Sequence, residues 1–202
     1  MDVSAPPTPL RRVCVFCGAS PGLRPIYAEA ARALGQAIAA RGLGLVYGGG
    51  HVGLMGIVAD AALAAGAPVT GVIPEALLRR EVGHGALTDL RVVATMHERK
   101  AMMADLAGGF IVLPGGFGTL EEAAEILTWS QLGIHRKGLV FLDIDGFWSP
   151  LIHMFDHMGG EGFLRPHVRE LAVVAETPEA ALDALAGFAA PPTESWLTPA
   201  QT

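Results

Sequence analysis

The sequence predicts an α/β fold: a doubly wound, mainly parallel sheet of about seven strands with helices on both faces. Three observations carry that prediction. Apolar runs of strand length alternate with longer stretches of helical periodicity along the whole chain. The first such run is apolar at consecutive positions instead of alternating, as strands buried on both faces are. Glycine is in excess, 26 of 202 residues against a usual share of about 7%, and it gathers where strands end and helices begin.

In chain order, residues 12–18 (RVCVFCG) read as a strand. Ile26, Ala30, Ala33, Leu34, Ala37 and Ile38 then recur at helical spacing over 25–41, with Pro25 near the start and Gly42 beyond the end. Strand 43–47 precedes a glycine run and a helix over 53–65; strand 67–73 is stopped by Pro74. Residues 76–88 read as loop with room for a helical turn. Strand 89–94, helix 96–107, strand 109–113 and helix 120–132 follow, then strand 138–143, helix 149–158 and strand 171–175. Thr177-Pro178-Glu179 caps a last helix over 178–188. The resulting domain reading is a flexible N-terminal segment 1–10, one Rossmann-like domain 11–188 and a Pro-rich tail 189–202.

Composition excludes several classes. Hydrophobic residues make up 51% and charged residues 17%, which is incompatible with disorder. The formal charge is −6, and Lys100 and Lys137 are the only lysines, so a surface for nucleic-acid polymers or anionic membranes is not expected. No apolar run reaches the ~20 residues of a membrane span, and the start MDVSAPPTPLRR lacks the apolar core of a secretory signal, so a soluble, cytoplasmic protein is expected. Cys14 and Cys17 form a lone CxxC inside a strand, where positions three apart face opposite ways, and read as buried core thiols. His51, His84, His97 and His135 are isolated in sequence, and His153 and His157, four apart on a helix, read as a surface or interface pair; no metal site follows from spacing.

Two glycine loops carry the functional signal. The first, YGGGHVGLMG, holds Gly48, Gly49, Gly50, Gly53 and Gly56; the second, PGGFGTLEE, holds Gly115, Gly116 and Gly118. Each joins a strand end to a helix start, where free amides and the positive helix end attract phosphate. In the second loop Thr119 and Glu122 stand three apart, a spacing that serves a capping box as well as catalysis. A third motif, TMHERK, repeats the box with Thr95 and Glu98, and puts Arg99 and Lys100 near a helix start, the end the dipole disfavours for cations. An anionic substrate, or pairing with Glu121 or Glu122, would resolve that. Gly48, Gly50 and Gly53 also spell G-x-G-x-x-G, with Glu75 22 residues after Gly53, so an NAD-linked oxidoreductase is an alternative. A nucleotide carrier or sensor without catalysis is another.

The stretches FCGAS (16–20), YGGGHVGLMG (47–56), GVIPEAL (71–77), Arg80-Glu81, MHERK (96–100), LPGGFGTLEE (113–122) and TWSQLGIH (128–135) together resemble the Lonely-Guy phosphoribohydrolases of cytokinin riboside 5′-monophosphates, whose members are often mislabelled lysine decarboxylases. The resemblance runs from about Val13 to Val174. It implies a Rossmann-like fold, a homodimer, no metal or organic cofactor, and hydrolysis of the N-glycosidic bond of a nucleoside 5′-monophosphate such as a cytokinin nucleotide or AMP. It implies that Arg99 and Glu122 are the catalytic pair. Substrate and phosphate contacts would come from Ser20, Gly48, Gly49, Gly53, Met55, Glu81, Met96, Lys100, the run Gly115, Gly116, Phe117, Gly118, Thr119, Leu120, Glu121, and Thr128. Met96, Met102, Met103 and Leu132 would shape the base pocket.

Overall fold

The computed structural model describes residues 10–78, 84, 85 and 87–191. Seven strands form one sheet: β1 (Arg12–Phe16), β2 (Gly44–Tyr47), β3 (Val69–Pro74), β4 (Asp89–Val93), β5 (Gly109–Val112), β6 (Leu139–Leu142) and β7 (Ala172–Ala175). Their spatial order is β4-β3-β2-β1-β5-β6-β7, and every neighbouring pair is parallel. The sheet is therefore wholly parallel, where the sequence reading allows an antiparallel strand. The helices are α1 (Pro25–Ala40), α2 (Gly53–Ala64), α3 (Glu75–Leu78), α4 (Met96–Leu106), α5 (Phe117–Gln131), α6 (Ser149–Gly160), α7 (Pro166–Arg169) and α8 (Pro178–Ala186).

β1 shows why consecutive apolar residues were needed. Val13, Val15 and Cys17 pack with Leu34 and Ile38 of α1, Leu54 and Val58 of α2 and Leu182 of α8. Cys14 and Phe16 pack on the opposite face with Met103 of α4 and Ala123 and Ile126 of α5. Phe16 stacks on Phe110 with ring centroids 5.8 Å apart. Each layer hides its apolar stripe against one face of the sheet, which is the doubly wound arrangement. Cys14 and Cys17 are free, buried and on opposite faces, so they form no CxxC redox pair.

From β1 the chain builds outward to β4, then returns to the other side of β1 as β5. The loops leaving β1 and β5 diverge at this reversal and open a crevice at the carboxyl edge, the place where such sheets take ligands.

Two helix starts differ in a way that matters for that crevice. α4 is capped as its sequence predicts: Thr95 Oγ1 accepts from Glu98 N (3.1 Å), and Glu98 Oε2 accepts from Ala94 N (2.9 Å). α5 is not. Its N-cap is Gly116, with no side-chain acceptor, and the helix starts at Phe117, earlier than the expected residue 120. Thr119 and Glu122 thus lie inside the helix and form no capping box; a glycine at the cap lets the helix begin sooner and leaves the first amides without a side-chain partner. The sequence reading also passed over α7, a single turn behind Pro166. Thr177 caps α8 as predicted, accepting from Ala180 N. Residues 1–9 and 192–202, which hold nearly all of the expected flexible start and Pro-rich tail, lie outside the described residues.

Candidate active site

The crevice has a volume of about 260 Å³. Phe16, Cys17, Gly18 and Ala19 from the end of β1 form its floor; Gly48 and Met55 come from the first glycine loop and α2. Arg99 and Met103 of α4 form one wall, and Gly116, Gly118, Thr119 and Glu122 at the start of α5 form the other.

Arg99 and Glu122 face each other across it, with Nη2 of Arg99 3.7 Å from Oε1 of Glu122 and side chains only 9% and 11% exposed. Burial pushes the Glu122 carboxyl up to about 7, and Arg99, which favours the charged form, does not offset it; Glu121 adds to the rise. Arg99 Nη2 also donates to the carbonyl of Gly48 (3.4 Å), and among the described residues Nη1 reaches only the Met96 sulfur (3.8 Å). Its Nε is buried with no hydrogen-bond partner among the described residues. A buried guanidinium with unused donors at the mouth of an uncapped helix has the chemistry to take an anion.

The glycines divide into two kinds. A Cβ on Gly48 would stand 1.9 Å from Arg99 Nη2, so this position is vacant of side chain to seat the guanidinium. Gly53, at φ +58°, lets its loop press on the β1 loop: a Cβ there would meet the Ala19 carbonyl carbon at 2.3 Å, and the next amide, Leu54 N, donates to Gly18 O (3.0 Å). Gly115 makes room for Thr119, whose Oγ1 would be 2.1 Å from a Cβ. Gly116 and Gly118, by contrast, have nothing among the described residues within 4 Å of an added Cβ beyond their own chain neighbours and helix backbone. They keep the space in front of the α5 amides clear. The sequence reading assigned all eight loop glycines to cradling phosphate; the packing gives several of them to seating Arg99 and joining loops.

Lys100 is buried but turned away from the crevice, held by Glu121 (2.5 Å) and Glu125 (3.0 Å). Burial lowers the affinity of its amine for a proton, yet the two carboxylates prevail and the net shift is upward. This is the pairing with Glu121 that the sequence left open. Phe117 is almost fully exposed at the crevice rim, and Met96 is partly exposed beside it. Gly49, Leu120 and Glu121 stand next to lining residues without being part of the lining. Ser20 is exposed and accepts from Gly22 N; Thr128 is exposed, donates to Ala124 O, and lies along α5 away from the crevice. Glu81 and its neighbour Arg80 fall outside the described residues. Sequence reasoning missed Cys17, Gly18 and Ala19 as lining; their place at the end of β1, beside the strand-order reversal, is the signal that finds them. Burial pushes the Cys17 thiol far up, with Glu122 adding to it, so it is a neutral wall and not a nucleophile. His51 and His84, isolated in sequence, are brought together with Asp60, while His97 and His135 stay apart from them.

The NAD alternative loses its footing here. The G-x-G-x-x-G follows β2, not the switch-point strand β1, and its Gly48 is taken up by Arg99.

An α/β protein with an uncapped helix start, a buried arginine and a buried carboxylate in one switch-point crevice belongs to the class that handles phosphorylated small molecules. Comparison makes that class definite. Residues 55–185 match the family model described as "Possible lysine decarboxylase". The chain is 47% identical to the cytokinin riboside 5′-monophosphate phosphoribohydrolase of Rhodococcoides fascians, over 92% of this chain and 93% of that one. It is 49% identical to one from Arabidopsis thaliana, over 82% of this chain and 76% of that one. Among solved structures, the molybdenum cofactor carrier protein of Chlamydomonas reinhardtii shares the fold, with a TM-score of 0.66 at 21% identity over 87% of this chain and 95% of that one. The chain belongs to the family of these phosphoribohydrolases.

The family model's description implies pyridoxal chemistry, and the residues do not fit it. That cofactor needs a lysine free to form a Schiff base. Lys100 is locked between carboxylates, and Lys137 lies at the amino edge of the sheet just before β6, donating to Ala104 O (2.6 Å).

Proposed function

We propose that the chain hydrolyses the N-glycosidic bond of nucleoside 5′-monophosphates, cytokinin nucleotides and AMP among them, to free base and ribose 5-phosphate. The observation that carries this is the buried Arg99–Glu122 pair facing the open start of α5, on a chain nearly half identical to such hydrolases. The 5′-phosphate sits at the α5 amides in the space that Gly116 and Gly118 keep clear. Arg99 supplies its unused donors to the phosphate or a ribose oxygen. As the C1′–N bond breaks, positive charge builds on the ribose. The Glu122 carboxylate stands against that charge, where low polarity strengthens its effect. Water adds its oxygen to C1′, and its proton ends on the departing base. The enzyme works as a homodimer in the cytoplasm; the exposed Val92 and Met96, from the edge strand and the adjoining helix, support a partner surface there. No helix among the described residues is long and apolar enough to cross a membrane.

The test is incubation with isopentenyl-AMP, AMP, GMP and CMP separately, following free base by chromatography. Release from at least one purine nucleotide, abolished in Glu122→Gln, is expected. Tight binding of a nucleotide that survives unchanged would favour a carrier instead.

A further inference from the structure

We infer that His51, Asp60 and His84 form a binding site for a divalent transition ion of the zinc class, separate from the crevice. The three come from distant places: the β2–α2 loop, the middle of α2, and the segment before β4. Their ligand atoms all lie within 4.8 Å of one another. His84 Nε2 is 2.7 Å from Asp60 Oδ1, and His51 Nε2 is 3.5 Å from Asp60 Oδ2. The imidazoles stand edge to face with centroids 4.4 Å apart. An ion about 2.0–2.2 Å from each ligand holds them roughly 3.2–3.6 Å apart, so the His84–Asp60 hydrogen bond opens slightly and ligand atoms that stand farther apart, within the 4.8 Å spread, draw in. The proton of that bond is released on metal binding, since the ligating nitrogen must be bare.

Two imidazoles and one carboxylate suit zinc, nickel or copper, not the all-oxygen preference of magnesium or calcium. Asp60 also lines an open hollow between α1 and α2, beside Arg32 and Gln36, through which water can complete the coordination shell.

The site would brace the first glycine loop. His51 lies between Gly48, which accepts from Arg99, and Gly53, and its carbonyl is the atom a Cβ on Gly56 would strike, at 2.5 Å. Ion binding therefore stiffens the loop that seats Arg99 without touching the substrate.

Equilibrium dialysis of the intact protein against Zn2+, with Co2+ absorption as a report of nitrogen ligation, tests this. One ion per chain at micromolar concentration is expected, with a rise in melting temperature. Asp60→Asn and His84→Gln should each weaken binding at least tenfold; Asp60 is exposed enough that its variant folds even if the His84 variant does not. His153→Ala with His157→Ala should leave binding unchanged. Absence of binding, or binding that survives Asp60→Asn but is lost with the His153 and His157 pair, would overturn the assignment.

Discussion

Arg99 and Glu122 stand 3.7 Å apart, oppositely charged and both buried, yet the carboxylate of Glu122 is pushed up, not down, to about 7. Desolvation outweighs the neighbouring guanidinium because the contact is too long for a hydrogen bond. The pair is poised instead of neutralised, with donors on one side and a carboxylate on the other free to meet a substrate.

Glu122→Gln should lower kcat/KM for base release by about 10³-fold or more, and Arg99→Ala by about 10²- to 10³-fold, since each removes charge stabilisation from a dry site. Circular dichroism should remain that of the wild type. Activity within tenfold of wild type in either variant would remove that residue from the catalytic pair.

The raised carboxyl fixes two pH responses. Ionised Glu122 is the form that stabilises a ribosyl cation, so kcat/KM should rise with pH through about 7 and then level. Stability moves the other way. A carboxyl raised in the folded state gives stability that is full below its unfolded value near 4.5 and lost as pH climbs through about 7. Melting temperature should therefore fall between pH 5 and pH 8 more steeply in wild type than in Glu122→Gln, by differential scanning fluorimetry.

Lys100 acts on Glu122 from outside the crevice, holding Glu121 and Glu125 and lowering the Glu122 carboxyl. Lys100→Met should move the acid limb of the kcat/KM profile to higher pH while leaving the plateau within several-fold of wild type. An unmoved limb with a collapsed plateau would make Lys100 a substrate contact, as the family resemblance implies.

Two alanine substitutions should separate the two kinds of glycine. Gly48→Ala drives a methyl into Arg99 and should cost activity about as Arg99→Ala does. Beyond its own helix and chain neighbours, Gly118→Ala meets no atom of the described residues within 4 Å, so the fold should be untouched and the loss should fall on KM. Steady-state kinetics of both variants, with thermal melts, check this.

The fold was legible because its signals are local. Strand-length apolar runs, helix-length periodicity and glycine stops each depend on neighbours in sequence, and Thr95 and Thr177 announced two helix starts correctly. Thr119 misled because the same spelling serves a cap and an inward-facing residue, and only the backbone at Gly116 decides between them. The Arg99–Glu122 pair was named from motif resemblance, but the distance between them and the lift of the carboxyl come from burial. The role of Gly48 was invisible, since its neighbour Arg99 is 51 positions away. The meeting of His51 with His84 was hidden for the same reason: α2 and β3 intervene in sequence, and only the sheet brings them back together.

The seam at Gly53 has a thermodynamic corollary. With its backbone pressed on Ala19 and the Leu54 amide bonded to Gly18, the loops after β1 and β2 behave as one stiff piece. A ligand arriving there finds little chain freedom left to extinguish, so calorimetry of binding should show only a small entropic penalty from ordering of the protein chain.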